Sequence, residues 1–287
     1  DPSVFYFYNV EQLNRKGRYS LYTMDLHLKN KVVIITGGSE GIGRAAAWRF
    51  ASEEAIVVIC ARRLPVLEQT AKSIQNQTGS NITPIVADVN NVAQLKSMVD
   101  QVIRTFGRID ILVNNAGTAA GKKFEEVSDA EWYHDIDLKL MGAIRCSKLV
   151  IPYMKKQQSG RIINITHVGG KAPGSNSTPS SVTRAAGIAL TKAMSKDYAK
   201  NNILINTVCV GFLKADQHKR AHEKRNKSSQ TGITLEQWYI EKGLSVPLGR
   251  VGESHEAGDV IVFLSSDMAS YVTGTSINVD GGAGATV

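Results

Sequence analysis

The sequence predicts an α/β fold, a doubly wound parallel sheet of seven strands with helices on both faces. Three observations lead there. Seven short runs rich in valine and isoleucine recur along the 287 residues, with helical segments between them. The runs are continuously apolar rather than alternating, as strands buried on both faces are. The first of them stops at Thr36-Gly37-Gly38-Ser39-Glu40-Gly41-Ile42-Gly43, and a helical pattern begins directly after it.

In chain order, residues 1–23 stand apart: Val4-Phe5-Tyr6-Phe7-Tyr8 is followed by basic and polar residues, and Met24 opens the regular part. This stretch reads as an N-terminal extension or a remnant of upstream sequence. It is too short to span a membrane and lacks the apolar centre of a signal peptide. Strands are expected at 32–36, 56–60, 82–87, 109–114, 161–166, 203–209 and 276–279, with helices that include 91–106, 129–157 and 180–200. Such alternation implies right-handed crossovers and a ligand crevice outside the carboxyl ends of the strands. No repeat or low-complexity linker divides the chain, so 24–287 is expected to be one domain, with a lid at about 212–246.

The first turn carries the functional signal. A strand, a tight turn and a helix N-terminus make an anion site, because the first helical N–H groups are unpaired. Gly37 is expected to form the turn, Gly41 to let a pyrophosphate approach the backbone and Gly43 to let the helix pack close to the sheet, with Ser39, Glu40 and Ile42 completing the loop. The spacing is Thr-Gly-x-x-x-Gly-x-Gly. Together with Asp88-Val89, Asn114-Asn115-Ala116-Gly117, Pro247-Leu248-Gly249-Arg250 and Tyr271-Val272-Thr273-Gly274-Thr275 running into Val279-Asp280-Gly281-Gly282, it resembles the short-chain dehydrogenase/reductase family. The resemblance covers about residues 26–282 and implies a Rossmann-type fold that binds a nicotinamide dinucleotide.

The end of the second strand bears on which dinucleotide. A free ribose 2′-OH favours an acidic residue there, whereas a 2′-phosphate needs that carboxylate gone and a cation nearby. Ala61 stands at that position, followed by Arg62 and Arg63, whose forked donors suit phosphate. NADP(H) is therefore expected over NAD(H). By resemblance, Asp88 meets the adenine with Val89 beside it, and Asn114 lines the adenosine side with Ala116 and Gly117. Glu40 and Arg44 are placed to modify the preference.

Family members pair hydride transfer with a tyrosine acid, a lysine four residues later that lowers its pKa, a serine thirteen positions before it and an asparagine on the preceding helix. A phenol needs an adjacent cation to act near neutrality. Aligning the shared segments puts Asp137 at the asparagine position, His167 at the serine, Ser180 at the tyrosine and Arg184 at the lysine. All four differ from the family pattern, and no tyrosine in the chain has a lysine four residues later. Where the family has Pro-Gly and a following threonine around the nicotinamide, this chain has Val210-Gly211-Phe212-Leu213, so Gly211 and Leu213 are the expected contacts.

Two readings follow. In one, the proton donor is reassigned: His167 titrates near neutrality, Arg184 keeps a positive charge at the cofactor ribose, Ser180 bonds the substrate oxygen, and Asp137 orients His167, binds a water or neutralises Arg184. In the other, hydride chemistry is lost and nucleotide binding serves a sensing or scaffold function. Polar, proton-capable groups at all four positions favour the oxidoreductase. Halohydrin dehalogenases resemble the fold and carry arginine at the lysine position, but they keep the tyrosine and lose the glycine turn, the reverse of this chain.

The lid opens with a basic run in which Lys219, Arg220, Lys224 and Arg225 suggest a rim for an acidic or acyl-carrier-linked substrate, and Trp238 and Tyr239 suggest an apolar pocket wall. Thr234 is the expected N-cap of a helix there. His218 and His222 stand four apart, but Lys219 and Arg220 between them disfavour a metal, and they read as solvated. Cys60, Cys146 and Cys209 are scattered, which argues against disulfides or zinc and for a reducing, cytoplasmic setting. The net charge of +8 is spread along the chain, which points to a basic surface rather than a nucleic-acid partner. The expected partners are a small-molecule or acyl-linked carbonyl or alcohol substrate and further copies of the chain, as homodimer or homotetramer, since relatives bury the last strand against a neighbour.

Overall fold

The computed structural model describes residues 25–229 and 232–286. Residues 1–23, read above as an extension or a remnant, lie outside the described residues, and Met24 with them.

The predicted architecture is present. Strands β1 (Val32–Thr36), β2 (Ile56–Ala61), β3 (Ile82–Val86) and β4 (Ile111–Asn114) alternate with helices α1 (Gly41–Ser52), α2 (Leu64–Thr78) and α3 (Val92–Phe106). After β4 a two-residue strand β5 (Gly121–Lys122) precedes α4 (Asp129–Ile136) and α5 (Gly142–Gln157). Then come β6 (Gly160–His167), the short β7 (Thr178–Pro179), α6 (Ser180–Tyr198) and β8 (Ile203–Val210). The helices α7 (Asp216–Ser229) and α8 (Leu235–Gly243) follow, in the segment expected to form a lid, and then come α9 (Ser254–Ser265) and β9 (Ser276–Val279). The main sheet is seven-stranded in the order β3-β2-β1-β4-β6-β8-β9, and every pair in it is parallel. The strand order reverses between β1 and β4, which is where a crevice opens in such sheets.

The continuous apolar runs are explained by what each face meets. Along β1, Val33 and Ile35 join a core with Phe50 of α1, Leu67 of α2 and Ile261 of α9, while Val32 and Ile34 join a second core with Met98 of α3, Cys146 and Met154 of α5. The same split divides Val57 and Ile59 from Val58 and Cys60 on β2. Successive side chains point to opposite faces, so a strand covered on both sides is apolar at every position.

Two features depart from expectation. The helix expected at 129–157 is interrupted by one π-type turn, Asp137–Met141, a distortion frequent at functional sites because it redirects side chains. The strands β5 and β7 also pair antiparallel as a separate ribbon, which ties the loop after β4 to the start of α6.

Candidate active site

The glycine turn is built as its spacing requires. Gly37 and Gly41 have φ of +65° and +54°, the left-handed region that favours glycine. At Gly43 a side chain is excluded by closure of the turn: a Cβ would stand 2.3 Å from the Gly37 carbonyl oxygen and 2.5 Å from Asn115 Nδ2. Asn115 Nδ2 donates to the carbonyls of Thr36 and Gly37, each at 3.0 Å. Thr36 Oγ1 in turn accepts the N–H groups of Asn115 and Ala116. The turn and the loop after β4 are one hydrogen-bonded unit.

A crevice of about 930 Å³ runs from this turn along the carboxyl ends of the strands. Of the cofactor-side residues named from the sequence, all but Gly43, Arg44 and Asn114 line it. Asn114 is a correction: it is buried beneath the crevice, where its Nδ2 donates to Ser147 Oγ at 3.2 Å and Asn164 Oδ1 at 2.8 Å, so it braces the sheet rather than facing adenosine. Its neighbour Asn115 lines the wall instead.

The arginine pair is also modified. Arg63 donates to Glu40 at 2.5 Å, and Arg220 from α7 donates to the other oxygen of the same carboxylate at 3.0 Å. Arg62 lines the crevice with no ion-pair partner among the described residues. One turn before Arg220, Asp216 accepts the Gly41 N–H at 3.1 Å. The α1 N-terminus thus meets a carboxylate of the lid where an anionic ligand would be favoured. Arg220 therefore belongs to the nucleotide end of the crevice and not to a substrate rim; Lys219 pairs with Asp216 at 3.6 Å, and the side chains of Lys224 and Arg225 lie outside the described residues.

At the other end, His167, Ser180 and Arg184 line the same crevice. His167 Nδ1 accepts the Gly169 N–H at 2.9 Å, which leaves Nε2 as the protonated nitrogen of the neutral ring. Desolvation and then the positive Arg184 hold its pKa below the ordinary 6.5. A lowered pKa favours the neutral ring, in which His167 presents the Nε2–H as a hydrogen-bond donor. Arg184 Nη1 donates to the Ile165 carbonyl at 2.7 Å, and the nearby carboxylate that favours its charge is Asp135. Asp137 is corrected too: its carboxylate takes Arg145 Nη2 at 2.6 Å and contacts neither His167 nor Arg184.

The side chain that reaches into the site from this stretch is one the sequence reading missed, Lys139. It is 1% exposed, ion-paired with Asp135, and donates to Ser180 Oγ at 2.6 Å. Asp135 also accepts from Thr183 Oγ1 at 2.7 Å. Burial, opposed by Asp135 and assisted by Arg184, brings the Lys139 pKa down from 10.5 to about 8. The i, i+4 spacing of Asp135 and Lys139 was readable. Which face of the helix they shared was not, because Lys139 lies inside the π turn.

The lid residues pack differently from expectation. Trp238 and Tyr239 are buried with Val251, Phe212, Ile233 and Leu235, and neither lines the crevice. His218 and His222, expected to be solvated, pack into this cluster: His218 stacks on Phe212 at 4.3 Å and bonds the Leu213 carbonyl at 2.7 Å, and His222 lies 5.9 Å from Trp238 with Nε2 2.9 Å from the Ile233 carbonyl. Thr234 caps α8 as expected. Among the described residues no cluster of acidic, histidine and cysteine side chains forms a metal site.

A Rossmann-type parallel sheet, a glycine turn under a helix and a polar constellation at the far end of one crevice define a dinucleotide-binding α/β protein. A model described as short chain dehydrogenase matches residues 31–226, and the chain belongs to that family. It is 34% identical over 257 residues to the 3-oxoacyl-(acyl-carrier-protein) reductase FabG of Thermotoga maritima, covering 90% of this chain and 99% of that protein. Among solved structures it superposes on L-sorbose reductase of Gluconobacter frateurii, complexed with NADPH and L-sorbose, with a TM-score of 0.87 and 30% identity, covering 92% of this chain and 100% of that one. An NADPH-bound short chain oxidoreductase of Pseudomonas aeruginosa PAO1, described as containing an atypical catalytic center, aligns with a TM-score of 0.83 and 27% identity over 90% of this chain and 100% of that one.

Proposed function

We propose that this protein is an NADP(H)-dependent carbonyl reductase whose proton-handling groups differ from the usual family set. The observation that carries it is a single crevice with phosphate-suited groups at one end and hydrogen-bond donors at the other. The residues fit the dinucleotide: the turn around Gly37, Gly41 and Gly43 is a cradle that side chains would fill, Ala61 leaves the 2′ position without an acid, and Arg62, Arg63 and Arg220 stand there. Bound NADPH supplies the hydride.

The chain's own residues do the rest. His167 Nε2–H and the Ser180 hydroxyl donate to the carbonyl oxygen and stabilise the negative charge that grows on it, as preorganised donors do. Arg184 adds a fixed positive charge behind them. The similarity to a ketoacyl reductase and a sugar reductase supports a small or acyl-linked ketone as substrate. The strand β9 is an edge of the sheet, which supports its burial against a second copy; sedimentation of a monomer at micromolar concentration would refute the oligomer.

The test is a pair of assays on the purified protein. NADPH binding, read by quenching of tryptophan fluorescence, is expected together with NADPH oxidation on a panel of acyl-thioester and sugar ketones. Tight binding without oxidation of NADPH on any of them overturns the reductase reading in favour of a nucleotide-binding, non-catalytic role.

A further inference from the structure

Ser180 stands where the family has a phenol, yet an aliphatic hydroxyl is too weak an acid to finish a carbonyl reduction by itself. Its hydrogen bonds show how it is assisted. A serine oxygen has two acceptor sites and one donor proton. Ser180 Oγ accepts Lys139 Nζ at 2.6 Å and the Ala120 N–H at 3.1 Å. Both acceptor sites are filled, and the hydroxyl proton is left for the crevice that Ser180 lines. The oxygen is thus oriented as a donor toward the crevice and backed by an ammonium group.

We infer that Lys139 and Ser180 form a two-member proton relay, in which the buried lysine resupplies the serine as the serine protonates the product oxygen. This deepens the proposed reductase reading and rests on it. As the carbonyl carbon gains hydride, the π pair moves to oxygen. That oxygen forms an O–H bond with the Ser180 proton. The Ser180 O–H bond breaks, Ser180 Oγ takes a proton from Lys139 across their hydrogen bond as an Nζ–H bond breaks, and Lys139 remains a neutral amine until, after product leaves, water in the crevice returns a proton through Ser180. No charge is left on serine at any stage.

The surroundings of Lys139 suit this task. Asp135 from α4 holds the ammonium in place and is itself held by Thr183 of α6. Arg184 from α6 opposes the positive charge, and His167 from β6 is neutral and within its field. From the loop after β4 Gly117 approaches, where a Cβ would lie 3.5 Å from Lys139 Cγ. One carboxylate thus favours the charged form while burial and one guanidinium disfavour it. That balance makes the lysine an acid of intermediate strength at a site where an ordinary lysine would hold its proton. An isolated lysine at the surface would not exchange so readily near neutrality.

The experiment combines kinetics with a direct titration of the group. In the wild type, kcat for ketone reduction should fall as pH rises through about 8. Lys139→Arg, which keeps the positive charge but cannot deprotonate in this range, should cut kcat by about 10²-fold or more and remove that limb, consistent with the usual weight of general acid catalysis. NADPH affinity should stay within about twofold. In parallel, the 13Cε resonance of Lys139 in lysine-labelled protein, assigned by its loss in Lys139→Arg, should titrate with a midpoint near 8. A midpoint at the ordinary 10.5, or a pH limb that persists in Lys139→Arg, overturns the relay while leaving the reductase standing. Absence of turnover in the wild type despite NADPH binding overturns the reductase reading and the relay with it.

Discussion

The buried lysine makes stability depend on pH in an unusual direction. Lys139 is depressed to about 8 in the folded protein and returns to its ordinary 10.5 when the chain unfolds. Below pH 8 both states hold the proton, and the folded state bears the full cost of a buried charge. Between these values the folded state has released the proton and the unfolded state keeps it, so unfolding takes up a proton and stability rises with pH. At 1.36 kcal/mol for each pH unit, the gain across the window is on the order of 3 kcal/mol. Buried thiols work the other way: Cys60, pushed up to about 12 by burial, and Cys146, raised by the same cause, hold protons in the folded state above their ordinary 9.0 and lower stability in alkali. A variant with the ion pair removed, Asp135→Asn/Lys139→Met, retains both thiols and cancels them. Urea unfolding of both proteins between pH 7 and pH 10.5, extrapolated to water, should show the wild type gaining on the variant by that amount. A difference that stays flat across the range refutes the assignment.

Four further outcomes follow from the site. Asp216→Ala removes the carboxylate that accepts the Gly41 N–H, and calorimetry should show NADPH binding about fivefold tighter, the weight of roughly 1 kcal/mol for a partly exposed charged contact; equal or weaker binding refutes the competition. Arg62→Ala should weaken NADPH at least about tenfold more than NADH, as loss of a phosphate partner does, and equal losses would remove Arg62 from the 2′-phosphate. His167→Ala should lower turnover by about 10²–10³, the usual effect of losing one oxyanion donor, with NADPH affinity unchanged; an undiminished rate excludes the role. Gly43→Ala puts a methyl group 2.3 Å from the Gly37 carbonyl and should lower stability by about 1–3 kcal/mol and abolish NADPH binding, whereas normal affinity would contradict the packing of the turn.

The fold and the nucleotide end were legible in the sequence because their signals are local. Strands covered on both faces are apolar at every position, and a turn with φ above zero at Gly37 and Gly41 demands glycine. The chemistry end was legible only in part. His167, Ser180 and Arg184 fall at fixed distances along the chain and do line the crevice. Asp137 was placed by alignment with the family's asparagine position, which carries no information on side-chain direction, and in the π turn at Asp137–Met141 it is Lys139 that meets Ser180. The two histidines of α7 read as solvated because their neighbours are lysine and arginine, but His218 stacks on Phe212 and His222 packs against Trp238, contacts that outweigh hydration there. Asn114 was read as a crevice residue, whereas its partners on β6 and α5 lie beneath the floor.

The salt link from Arg220 to Glu40 and the bond from Asp216 to Gly41 leave α7 from positions one helical turn apart. Each occupies a group that a phosphorylated dinucleotide also seeks. Binding of the ligand and the exchange of these two contacts are therefore two descriptions of one equilibrium, and each side's free energy is felt by the other. A substitution that loosens α7 therefore changes nucleotide affinity from a distance.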